Sequence, residues 1–99
     1  MHTSYTVHIG VLSIELMIFQ ALSLKDKRMI LNAVKDKLKN KFNVSVSELG
    51  ELDKWQKSII GIVMISNDKS YLDSALQKVL SFVEQERDVQ VSDYQLEFL

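Results

Sequence analysis

The order of hydrophobic periods along these 99 residues predicts an α+β domain built strand, helix, strand, strand, helix, strand. Three observations carry that reading. Apolar residues recur at every second position in the first segment, at three- and four-residue spacing in two others, and as a nearly continuous β-branched run near residue 60.

The first strand is expected over Val7 to Ile18, where the even members Leu12, Ile14, Leu16 and Ile18 are all apolar. Ser23 then stands three residues before Asp26, a relative of the capping box, ahead of an apolar series at Leu24, Leu31, Val34, Leu38 and Phe42. That spacing predicts the first helix. Val44 and Val46 alternate with Ser45 and Ser47 within a strand over residues 43–49, and residues 58–66 hold Ile59, Ile60, Ile62, Val63, Met64 and Ile65. A polar stretch from Gly50 to Lys57, containing Trp55, joins these two strands. Asn67 is the expected cap of a second helix with a buried stripe of Leu72, Ala75, Leu76, Val79 and Val83, and the last strand follows over residues 89–98.

This order folds most simply as a ferredoxin-like βαββαβ sandwich, a four-stranded antiparallel sheet with both helices on one face. One domain accounts for the whole chain, residues 1–99, with no linker or repeat. Helices cover one face only, yet the first and third strands are apolar on both parities. The open face is therefore expected to form a homodimer, with Val7, Ile9, Val11, Ile60 and Ile62 as interface residues and Trp55 as an anchor.

Cysteine and proline are both absent. No disulfide, thiolate nucleophile or cysteine metal site is available, which fits a reducing, cytoplasmic compartment. Val7 to Phe19 is interrupted by His8, Ser13 and Glu15 and is too short to span a bilayer. His2 and His8 lack partners at metal-ligand spacing, and Gly10, Gly50 and Gly61 are too far apart for a phosphate loop. The reading is of a protein that is not an enzyme and carries no cofactor or metal. Strands one and three offer no aromatic platform for stacked bases, and Arg28 and Arg87 are not placed for an acylphosphatase-like site.

The charge distribution is the positive signal. Net charge is −1, but residues 24–42 hold seven of the twelve Lys and Arg against Asp26 and Asp36, while residues 43–99 hold five basic and ten acidic side chains. Wound at about 100° per residue, Lys25, Arg28, Asn32, Lys35 and Lys39 form one stripe about 20 Å long. Such a row can track a phosphate backbone, in strongly salt-dependent fashion. Lys27 falls instead among Leu24, Leu31 and Val34, where a cation must snorkel or find a carboxylate; it is assigned to the anion site as the residue that orients the helix's first turn.

The run Ser23-Leu24-Lys25-Asp26-Lys27-Arg28, the segment Lys41-Phe42-Asn43-Val44-Ser45-Val46-Ser47-Glu48, the pair Trp55-Gln56 and the Val63 to Asp68 stretch together resemble the YlxP-like family of small bacterial proteins, a domain of unknown function (503). The resemblance covers nearly the whole chain. It implies a ferredoxin-like fold and genes that in many bacteria lie beside those for translation initiation and ribosome maturation. On that footing the expected partner of the basic stripe is ribosomal RNA or a ribosome-maturation intermediate. A homodimeric module for small ligands or regulatory protein contacts, using clefts near Trp55 and Lys27, is the alternative.

Overall fold

The structure is a computed structural model and describes residues 5–99. Its elements are β1 (His8–Met17), α1 (Leu24–Lys41), β2 (Ser45–Gly50), β3 (Lys57–Ser66), α2 (Lys69–Glu84) and β4 (Gln90–Phe98). The strands form one sheet in the order β2-β3-β1-β4, and every neighbouring pair is antiparallel. Each helix therefore carries the chain past one strand to a parallel position two strands away, which is the ferredoxin-like arrangement expected from the sequence.

Alternation in β1 divides its side chains between two environments. Leu12, Ile14 and Leu16 are buried under the helices, and Ile9, Val11, Ser13, Glu15 and Met17 take the other face. The β1–β3 register pairs Leu12 with Ile62 and Ile14 with Ile60, so these isoleucines share the helix-covered side. Leu31, Val34 and Leu38 from α1 and Leu72, Leu76, Val79 and Val83 from α2 complete the core. At Gly10 the side chains of α2 pack directly on the strand: a Cβ there would collide with the Leu76 side chain.

Both helix starts follow local chemistry. Ser23 Oγ accepts a hydrogen bond from the Asp26 N–H at 3.0 Å, and Asp26 Oδ2 accepts from the Leu22 N–H at 3.0 Å, so two free amides are satisfied reciprocally. The second cap is Asp68 and not Asn67. Asp68 Oδ1 accepts from the Tyr71 N–H at 3.1 Å, while Ser66 Oγ accepts from the Asp68 N–H at 3.2 Å. Both residue types cap well; the helix phase set by buried Leu72 and Leu76 selects the second.

Two bulges interrupt the sheet at one level. Between Glu15 and Leu16 the β1–β4 register slips past Ser92, whose hydroxyl donates to the Glu15 carbonyl (3.2 Å) and carboxylate (2.9 Å). Between Glu48 and Gly50 the β2–β3 register slips past Leu49, whose side chain lies over Gly61. Among the described residues no helix is long and apolar enough to cross a membrane.

Candidate functional site

The basic stripe is built by the phase of α1. Because Leu31, Val34 and Leu38 are held against the sheet, Lys25, Arg28 and Lys39 are exposed and Lys35 is half-buried at the stripe's inner edge. Among the described residues, none of these four cations lies within 4.0 Å of a carboxylate. Their neighbours on the same helix differ: Lys37 pairs with Glu86 at 3.2 Å, and the Lys41 ammonium sits 5.0 Å from the centre of the Phe82 ring and 5.9 Å from that of Phe42. The helix's own acids oppose the stripe only partly. Asp26 is engaged in the N-terminal cap, and exposed Asp36 offsets part of the field near Lys35 and Lys39. Lys39 and Lys41 in the last turn also complement the negative end of the helix dipole.

Lys27 does not belong to this surface. It is 1% exposed, its ammonium lies 2.9 Å from Glu48 Oε2, and it donates to the Glu51 carbonyl at 2.6 Å. Glu48 Oε2 also accepts from the buried Ser58 hydroxyl at 2.7 Å. The buried cation has found the carboxylate that its position requires, and Lys27 can neither meet a dissolved anion nor line a ligand cleft. It fixes the first turn of α1 to the β2–β3 hairpin. Glu51, which carries the hairpin's positive φ of 62°, presents its carbonyl to that ammonium.

The expected interface residues divide in the same way. Val7 is exposed and Ile9 and Val11 are half-buried, with Ile9 and Val11 on the open face of the sheet. Ile60 and Ile62 are fully buried beneath the helices and are not interface residues. The residues of β3 that face outward are Ile59, Val63 and Ile65, of opposite parity, and Leu49 joins them from β2. Trp55 is 52% exposed in the β2–β3 connection, so it does not seal the protein's own core. That connection is held firmly beside the β1–α1 loop. Ile18 N–H donates to the Gln56 carbonyl at 2.9 Å, and Gln56 Nε2 donates to the carbonyls of Phe19 (2.8 Å) and Ala21 (3.1 Å). His8 is half-buried at the start of β1, and His2 lies outside the described residues.

Comparison with known proteins finds a sequence relative and a matching family. The chain is 41% identical over 76 residues to the uncharacterized protein YlxP of Bacillus subtilis (strain 168), an alignment covering 77% of this chain and 83% of that protein. The profile of a family described as protein of unknown function (DUF503) matches residues 9–96. With nearly the entire sheet and both helices inside that match, the chain belongs to the DUF503 family.

Proposed function

We propose that this chain is a non-catalytic, cytoplasmic docking module that lays α1 against a polyanion, with ribosomal RNA or a ribosome-maturation intermediate as its target. The observation that supports this reading is the set of four cations, Lys25, Arg28, Lys35 and Lys39, on one stripe of α1 without a carboxylate partner among the described residues. Cations already paired within the protein gain little from a phosphate; unpaired ones release condensed counterions when they bind. The helix is held in one orientation by its cap and by the Lys27–Glu48 pair, so the row is presented as a rigid unit. The ribosomal destination rests on the gene neighbourhood that the family resemblance implies, and the helix supplies only the charge.

Co-sedimentation with purified ribosomal subunits across a salt series tests the proposal. Binding is expected to fall steeply with salt and to vanish when Lys25, Arg28, Lys35 and Lys39 are together changed to Glu in a variant with an unchanged circular-dichroism spectrum. Equal binding by that variant, or no binding of the wild type at low salt, would overturn it.

A further inference from the structure

The open face of the sheet is arranged in rows that the strand registers define. One row runs Ser45, Val63, Val11, Glu97 from β2 to β4, and the next runs Ser47, Gly61, Ser13, Gln95. Ile65 and Ile9 are paired on one side of these rows, and Ile59, Glu15 and Asp93 share a row on the other. The apolar residues of these rows thus occupy the two central strands, and Leu49 adds to them from the edge strand β2. Val63 is 39%, Ile65 64% and Leu49 58% exposed. Small Ser13 leaves a hollow of 180 Å3 between β1 and β4, lined by Ser13, Glu15, Ile59, Asp93, Tyr94 and Gln95.

We propose that this face is the interface of a homodimer whose two-fold axis runs parallel to β1 and β3 and passes between them. Such a rotation lays each row on itself in reverse. Val63 meets Val11 of the partner subunit, Ile65 meets the partner's Ile9, and the Ser45 hydroxyl meets the carboxylate of the partner's Glu97. Ser47 likewise meets the partner's Gln95. Leu49, standing over Gly61, is carried over the hollow between the partner's Ser13 and Gln95, so an exposed side chain of the face meets a depression. The alternative two-fold axis, across the strands, would stack β4 on β4 and bring Asp93 and Glu97 of both copies together.

Charge also selects the occupant. Lys57 on this side is already paired with Glu15 at 3.8 Å, and β4 contributes Asp93 and Glu97, so the face repels a polyanion or an anionic membrane. Four strands about 4.8 Å apart, covered over about seven residues each, give roughly 500 Å2 per copy, or about 1,000 Å2 in all, at the lower limit for a specific interface. Two sheets stacked in this way fall in the aligned class of sheet packing.

Sedimentation equilibrium on the full chain is expected to give a dimer that persists at high salt and in the α1 charge-reversal variant, which separates this proposal from the polyanion reading. Val63→Glu, at a position exposed in the protomer, is expected to weaken dimerisation about 30-fold or more while leaving the circular-dichroism spectrum unchanged. The natural absence of cysteine permits a test of the axis. An equimolar mixture of L49C and Q95C single variants should form a disulfide-linked heterodimer on mild oxidation, whereas L49C alone should not link to itself. A wild type that is monomeric at concentrations up to hundreds of micromolar, an unaffected V63E dimer, a mixture that fails to cross-link or self-linking of L49C would each overturn the proposal.

Discussion

The Lys27 ammonium stands 2.9 Å from Glu48 Oε2 at a position of α1 whose helical neighbours, Leu31 and Val34, are core residues. A single carboxylate oxygen there serves both this cation and the Ser58 hydroxyl, with Ser58 fully buried and Glu48 itself reaching partly into solvent. The two partners are consequently unequal. Glu48→Ala leaves a buried ammonium with the Glu51 carbonyl but no counter-charge, and the Ser58 hydroxyl without its acceptor, and is expected to cost about 3 kcal/mol or more. Lys27→Met, which keeps the length and apolar stem, leaves Glu48 able to hydrate and is expected to cost less. Urea unfolding of the two variants measures the difference; equal losses would contradict this account.

The second helix cap makes a sharper contrast between adjacent residues. Asp68→Ala removes the acceptor for the Tyr71 N–H and is expected to destabilise by about 1 kcal/mol. Asn67→Ala, at an exposed position that makes no side-chain hydrogen bond among the described residues, should stay within about 0.5 kcal/mol of the wild type. Thermal or urea unfolding of the pair settles which residue caps α2.

Two glycines on opposite faces of the sheet should respond differently to the same change. A Cβ at Gly10 meets Leu76 and Leu72 in the packed layer beneath α2, so Gly10→Ala is expected to cost about 1–3 kcal/mol through overpacking. At Gly61 the obstructing atoms belong to the exposed Leu49 side chain, which can swing aside. Gly61→Ala should therefore alter stability by less than about 1 kcal/mol at protein concentrations low enough to keep the chain monomeric. Chemical denaturation of both alanine variants makes the comparison.

Single cations of the stripe can be counted by salt dependence. If Arg28 contacts a phosphate, Arg28→Ala should lower the magnitude of the slope of log affinity against log salt by about 0.7–0.9. Lys37→Ala, which removes a cation already engaged by Glu86, should change that slope less. A filter-binding titration on ribosomal RNA at several salt concentrations reads both.

The fold was legible because β1, α1 and α2 each place apolar residues at the period of one element, and the strand order follows from short connections. The β3 run was not legible to the same degree. Ile59 to Ile65 is apolar on both parities, so nothing local tells which set faces the helices; pairing of Ile60 with Ile14 and Ile62 with Leu12 decides it. The helix period placed Lys27 on the buried side, but its acceptors at Glu48 and Glu51 come from the hairpin beyond α1 and required the tertiary fold. Distinguishing Lys37 from Lys39 likewise depended on Glu86, 49 residues away from Lys37. Charge could be counted along the chain, whereas freedom from a partner could not.

Helices on one side only give the sheet two unlike outer surfaces, one cationic and helical, the other apolar with an acidic margin. Ligands placed on the two sides are separated by the full thickness of the protein and share no contact residue. Occupancy of one should then leave the affinity of the other unchanged, with a coupling free energy near zero. A pair of such protomers joined back to back would present its cationic helices in opposite directions, suited to bridging two strands of a folded polyanion more than to gripping one.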